Sequence, residues 1–196
     1  MSGELEYFFD FMSPFAYLAH DSVCQLAKRY DRDLIYKPIN LPEAKIAAGN
    51  TGPSNREIPV KLRYLMIDIN RWAEKRDLPV AFPASLDSHK MNAGTFYALE
   101  RGVAEKYVRE AFALGWGQGG DMSAERTLSD LAETMGWSVA EFVAYASMAK
   151  ELPEYIASNT EAVEKGVFGV PTIIIDDQMW WGNDRLSFVE EFLAQE

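Results

Sequence analysis

Leu5-Glu6-Tyr7-Phe8-Phe9-Asp10-Phe11 is a short, aromatic and mostly apolar run, which predicts a buried strand. It leads straight into Met12-Ser13-Pro14, after which Phe15, Leu18, Ala19, Ser22, Leu26 and Tyr30 recur at helical spacing. Pro14 suits the first helical position, where a missing N–H is no loss, and Ser13 suits the cap before it. Residues 33–40 (DLIYKPIN) predict a second strand. Strand, helix, strand in that order implies a parallel pair joined by a right-handed crossover.

The pattern then changes. Residues 41–60 are rich in Gly, Pro, Asn and Ser and predict a loop longer than a plain connection needs. From Lys61 onward Leu62, Leu65, Met66, Ile69 and Trp72 share one helical face. Further helical stretches are expected near 89–101, 103–115, 123–135, 138–150 and 153–165. Ser138-Val139-Ala140-Glu141 is a capping box, and Gly136 and Gly166 stand where helices stop. Val167 to Ile175 is again apolar and β-branched, Asp176-Asp177 makes a turn, and Met179-Trp180-Trp181 completes a hairpin. Asn183-Asp184 predict the cap of a last helix whose stripe is Leu186, Val189, Phe192 and Leu193. A β-α-β half and a β-β-α half describe an α/β, thioredoxin-like fold with a large all-helical insertion. The expected domains are a thioredoxin-like unit from residues 1–40 and 167–196, an active-site loop over 41–60, and a helical insertion over 61–166.

Composition narrows the function classes. The 196 residues carry 19 Lys+Arg against 30 Asp+Glu, a net charge of −11, so the chain as a whole would repel nucleic-acid phosphates. No apolar run approaches the roughly 20 residues of a membrane span. Met1-Ser2-Gly3-Glu4 lacks a basic segment followed by an apolar core, and the expected location is the cytoplasm. One cysteine, Cys24, excludes an intrachain disulfide and a CxxC pair, and with only His20 and His89 besides, no metal site is expected. Cys24, His20, His89, Met66, Trp72 and Trp137 read as structural. Of the adjacent Trp180 and Trp181, one should point inward and the other towards a surface or ligand.

The first strand-to-helix turn is where a thioredoxin-like fold keeps its redox cysteines, and here it reads Met12-Ser13-Pro14-Phe15. Thiol–disulfide exchange on the protein is therefore not available. Ser13 alone is no more than an N-cap on an arbitrary helix. Two features argue for more. Val170-Pro171 opens an apolar strand with a residue that cannot complete a central ladder, although an ordinary trans proline at a strand start is the commoner case. Trp181-Gly182-Asn183-Asp184 offers N–H groups and polar side chains, with a cap plus a core tryptophan as the plain alternative. Together they point to a glutathione site with the thiol beside Ser13, whose hydroxyl, at a helix N-terminus, favours thiolate. No His or Lys adjoins Ser13 to act as its base, so Ser13 would activate a borrowed nucleophile.

At FFDFMSPFAYLA (8–19), KIAAGNTGPSNR (45–56), VKLRYLMIDINRWA (60–73), FPASLDSHKMNAG (82–94) and VFGVPTIIIDDQMWWGNDRL (167–186) the chain resembles the 2-hydroxychromene-2-carboxylate isomerase family, over essentially its whole length. That family belongs with the kappa-class glutathione transferases and DsbA-like proteins. The first and last blocks are shared with kappa transferases, whereas GNTGPSNR stands where those carry an Asn followed by Pro-Pro. The resemblance implies glutathione-dependent isomerisation of 2-hydroxychromene-2-carboxylate to trans-o-hydroxybenzylidenepyruvate in naphthalene and related aromatic catabolism. It implies Ser13 beside the glutathione thiol, Val170 and Pro171 against its cysteine, and Trp181, Gly182, Asn183 and Asp184 at its γ-glutamyl end. Lys45, Asn55 and Arg56 fall at positions expected around the organic substrate, a small aromatic carboxylate. Leu86 departs from the tyrosine of close relatives, which bears on substrate range. A homodimer is implied. Residues 28–63 hold eight Lys/Arg against four acids, a local excess that suits anionic ligands but also describes a solvated basic face. The alternatives are a kappa-like transferase that conjugates electrophiles, and a non-catalytic thioredoxin-like binding module.

Overall fold

The computed structural model describes residues 3–195; Met1 and Ser2, part of the stretch weighed above for a targeting signal, lie outside it, as does Glu196. Four strands form one mixed sheet in the order β2-β1-β3-β4: β1 (Glu4–Phe9), β2 (Asp33–Pro38), β3 (Thr172–Ile175) and β4 (Gln178–Trp181). β1 and β2 are parallel, with Leu5 opposite Leu34, and α1 (Pro14–Arg29) makes the crossover between them. β3 runs antiparallel to β1, placing Ile173 opposite Tyr7, and pairs with β4 as a hairpin that puts Thr172 opposite Trp181. This is the thioredoxin-like arrangement expected from the strand and helix order.

β1 is covered on both faces, which is why its apolar residues run consecutively rather than alternating. Leu5, Tyr7 and Phe9 join a large core with α1 and the helical layer, while Phe8 packs on the opposite side with Ile39, Val167, Val170 and Ile174. The helical layer comprises α3 (Pro59–Arg76), α4 (His89–Leu99), α5 (Ala104–Phe112), α6 (Glu125–Met135), α7 (Val139–Ser147) and α8 (Pro153–Glu164). Its rings interlock with those of the sheet, Phe11 lying 4.6 Å from Phe112 and 6.2 Å from Tyr107 between centroids. Such offset and edge-on pairs add attraction beyond the area they bury. Ser138 caps α7 as expected, its Oγ accepting from the Glu141 amide at 3.4 Å.

Three expectations need correction. The stretch 41–60 is not all loop, because Leu41–Ala47 is a helix, α2. Asn40 caps it, accepting from the Glu43 amide at 3.5 Å, Pro42 sits in its first turn, and Leu41 and Ala44 are buried. Two turns give too few apolar positions to establish a period beside so much Gly and Pro. The helix expected to reach residue 115 ends at Phe112 and passes into a π turn, Ala113–Gly117. Asn183 and Asp184 do not cap the last helix: they belong to a short 3₁₀ turn, Asn183–Arg185, and α9 (Leu186–Leu193) begins beyond it with no side-chain cap. Gly182, at φ 106°, takes the chain out of β4 through a conformation that L side chains rarely adopt.

Candidate active site

Ser13 is placed by its own turn. Its amide donates to the Asp10 carbonyl at 3.0 Å, and its hydroxyl oxygen accepts from the Ala16 amide at 3.3 Å as the cap of α1. The same hydroxyl donates to the Val170 carbonyl at 3.4 Å, a long bond across to the segment before β3. The Val170–Pro171 peptide is cis. Ser13 is 5% exposed and sits in the floor of a cleft of about 500 Å³. That size suits a small-molecule ligand.

The cleft brings together residues far apart in sequence. Ser13, Lys45, Asn55, Arg56, Leu86, Val170 and Trp181 all line it. Lys45 reaches it from α2, and its half-buried ammonium is shifted below the ordinary lysine range, first by burial and then by the Arg56 guanidinium. Asn55 and Arg56 come from the exposed loop before α3, where Asn55 accepts a hydrogen bond from Lys61 Nζ at 3.3 Å. Leu86 forms part of the wall near Phe82 and Trp116, whose rings meet edge-on at 5.2 Å.

Trp181 is 49% exposed and stands at the rim, edge-on to Phe168 at 4.9 Å, whereas Trp180 turns the other way and packs on Phe192 at 5.1 Å. Gly169 lies directly beneath the Trp181 indole, so close that a Cβ there would meet its Nε1 at 2.4 Å. Pro171, Gly182, Asn183 and Asp184 do not line the cleft. Asn183 is buried just past Trp181; its carbonyl accepts from Arg76 Nη2 at 3.2 Å, while its side-chain Nδ2 has no hydrogen-bond partner among the described residues. Asp184 is exposed and pairs with Arg185.

The DSBA-like thioredoxin domain model matches residues 4–194. A 2-hydroxychromene-2-carboxylate isomerase of Sphingobium xenophagum is 41% identical over 193 residues, 98% of this chain and 99% of that protein. This chain belongs to the 2-hydroxychromene-2-carboxylate isomerase family, within the DSBA-like thioredoxin proteins. The solved structure of a selenomethionine 2-hydroxychromene-2-carboxylate isomerase superposes with a TM-score of 0.91 at 40% identity, covering 97% of this chain and 94% of that one. Glutathione S-transferase kappa 1 of Rattus norvegicus is more distant, 23% identical over 97% of this chain and 91% of the transferase.

The isomerase-family chain holds its thiol and imidazole groups away from the cleft lining. Cys24 is buried mid-helix with its Sγ 3.4 Å from Tyr36 Oη and 3.5 Å from His20 Nε2; burial pushes its thiol up to about 11. The same burial pushes His20 down to about 4, which leaves it neutral. Among the described residues no group of three or more His, Cys, Asp or Glu is placed to hold a metal ion, and no helix is long and apolar enough to cross a membrane.

Sequence reasoning missed several cleft residues. Phe15 of α1 and Leu65 and Ile69 of α3 read from their spacing only as helical faces, yet they line the cleft, and Ile69 belongs to the core as well. Of the predicted α3 stripe, Ile69 alone is fully buried. Trp116 enters from the π turn and donates its Nε1–H to the Phe11 carbonyl at 2.8 Å, tying the helical layer to the end of β1. π turns gather at functional sites, but nothing in the local sequence signals one.

Proposed function

We propose that this chain is a glutathione-dependent 2-hydroxychromene-2-carboxylate isomerase of naphthalene or related aromatic catabolism, with the names of its relatives and the make-up of its cleft as support. The observation that carries the reading is the convergence in one cleft of a buried serine hydroxyl at a helix N-terminus and two cationic side chains, Lys45 and Arg56. A cysteine in the position of Ser13 would make the cleft redox-active; a serine leaves it able to stabilise a sulfur without being one.

The residues present fit glutathione. The cleft volume of about 500 Å³ is adequate for a tripeptide with a second small ligand beside it. Past Trp181 and outside the cleft lining, Asn183 has a buried Nδ2 with no hydrogen-bond partner among the described residues and Asp184 is exposed beside Arg185; these two would take the carboxylate and ammonium of the γ-glutamyl end where it extends beyond that lining. Bound there, glutathione would supply a thiolate that adds reversibly to the benzylic carbon of the ring-opened enone, so that a double bond becomes single, rotates, and is restored as trans.

This chain's own residues have three tasks in that scheme. Ser13, whose O–H makes only a long bond to the Val170 carbonyl, would offer that donor to the sulfur and, with the N-terminal amides of α1, favour the anion. Arg56 grips the substrate carboxylate with its planar fork, and Asn55 adds a donor. Lys45, which lines the same cleft, would supply a point charge for an oxyanion developing on the substrate.

The test is to follow the ultraviolet absorbance of 2-hydroxychromene-2-carboxylate with the enzyme and substoichiometric glutathione. Full conversion with glutathione recovered unchanged is the expected result. Stoichiometric loss of glutathione would make the chain a kappa-like transferase, and no spectral change would reduce it to a binding module.

A further inference from the structure

We propose that Phe82 is a specificity-determining residue, its ring standing in the cleft wall as the surface on which the aryl group of an aromatic carboxylate stacks. This deepens the isomerase reading and rests on it for the identity of the ligand.

Residues 77–88 run from α3 to α4 without a helix or strand of their own, yet their backbone is fastened at four points. The Pro79 carbonyl accepts from Tyr17 Oη of α1 at 2.8 Å. The Ala81 amide donates to the Trp116 carbonyl at 2.6 Å, the Ala84 amide donates to the Gly119 carbonyl at 3.2 Å, and the Ser85 carbonyl accepts from the Met122 amide at 3.4 Å. Phe82 lies between two of these anchors. Its ring meets the Trp116 indole edge-on, with centroids 5.2 Å apart and planes at 77°. Trp116 is itself held, 1% exposed and with its Nε1–H bonded to the Phe11 carbonyl. A ring fixed from both sides in this way belongs in a core, but Phe82 is 42% exposed and lines the cleft.

A single exposed apolar side chain on an open surface is ordinary. Phe82 is different because the surface it leaves bare faces a concave site. That cleft offers two kinds of contact from separate segments: the cations Lys45 and Arg56 from α2 and the loop before α3, and Phe82 with Leu86 from the segment after α3. Small-molecule sites divide their work in this way, apolar walls giving contact area and a few polar groups giving orientation. α3 repeats the division along its length. Lys61, Leu65 and Ile69 line the cleft on successive turns, so this wall passes from charged to apolar over about 12 Å. A ligand with a carboxylate at one end and a flat ring at the other matches both kinds of contact. Leu86 supplies area alone, whereas an aromatic face attracts another ring beyond the area covered, in offset or edge-on contact. Phe168 and Trp181 also bring rings to the cleft, but these two are packed edge-on against each other. Phe82 therefore separates aromatic from saturated ligands of the same size and charge.

The test is equilibrium binding to the intact chain, by calorimetry, of 2-naphthoate and of its saturated counterpart, decahydro-2-naphthoate. Phe82→Leu keeps an apolar side chain and removes the ring. It should weaken 2-naphthoate about fivefold and decahydro-2-naphthoate less than about twofold. Phe82→Tyr, which keeps the ring, should hold 2-naphthoate within about twofold of wild type. With 2-hydroxychromene-2-carboxylate as substrate, Phe82→Leu should raise KM and leave kcat within about twofold, the pattern of lost ground-state contact. Equal weakening of both probes, undiminished binding of 2-naphthoate by Phe82→Leu, or a fall in kcat at unchanged KM would overturn the proposal. Neither probe reacts or needs glutathione, so a chain without isomerase activity would refute the functional reading while the discrimination between the two probes is judged on its own.

Discussion

Ser13 illustrates how little separates a structural residue from a functional one. Its hydroxyl performs an ordinary cap, accepting from the Ala16 amide at 3.3 Å, and the same atom faces the segment where a ligand backbone would lie. Both roles use the positive end of α1, so removing the hydroxyl weakens the helix start and, in the proposed function, the bound thiolate. Ser13→Ala should lower kcat/KM about a hundredfold near neutral pH, the scale of losing one donor to a developing anion. The deficit should shrink at alkaline pH, where glutathione ionises unaided. A pH–rate profile of both proteins checks this, and a deficit constant across pH would count against thiolate stabilisation.

At the scale of elements, the site is assembled by close approach between segments rather than by any one of them. The β3–β4 hairpin presents Trp181 over Gly169, and the contact leaves no room for a methyl group, a Cβ falling 2.4 Å from the indole Nε1. Gly169→Ala should therefore push the indole outwards. Trp181 is half exposed and free to swing, so the fold should lose less than about 1 kcal/mol. Under the proposed function, glutathione affinity measured by calorimetry should fall several-fold, with a change in tryptophan fluorescence. Unaltered affinity would mean that Trp181 is not part of the binding surface. α3 shows the same logic from the other side: Leu65 and Ile69 serve both the core and the site.

For the whole molecule, one buried group sets a pH dependence of stability. His20 is 2% exposed, bonded at 3.1 Å to Tyr36 Oη, and burial lowers its pKa from 6.5 to about 4. Between those values the unfolded chain binds a proton that the folded chain does not, so stability is complete above pH 6.5 and is lost as pH falls towards 4. The interval corresponds to about 3 kcal/mol. Urea unfolding of wild type and His20→Phe at pH 7 and pH 4.5 should show the variant losing less on acidification. Parallel losses would mean that His20 is protonated within the folded protein. Charge is also unevenly spread: a chain of net −11 keeps Lys45, Arg56 and Lys61 around one cleft, a local field suited to anionic ligands.

The sequence by itself determined the fold class, the strand–helix–strand opening, the closing hairpin and the position of Ser13 at the cap of α1. Each of these rests on interactions within a few residues, such as the period of apolar side chains, a proline at the first helical position, or a cap reaching three residues ahead, and local order is written locally. It also holds the family blocks that carry Lys45, Asn55, Arg56 and Leu86. Only the tertiary structure decided that these four meet Ser13 and Val170 in one cleft, that α3 walls the cleft with residues that also reach the core, and that Trp116 enters from a π turn. It alone showed the buried Asp10 carboxyl bonded to the Ser13 turn, the start of α2 and the start of α4. Contacts between residues some 30 to 160 positions apart arise from packing that satisfies buried donors and acceptors across elements, as in the bonds from Asp10 to Leu41 and from Ser13 to Val170. No period or motif along the chain encodes which distant partner will close such a bond.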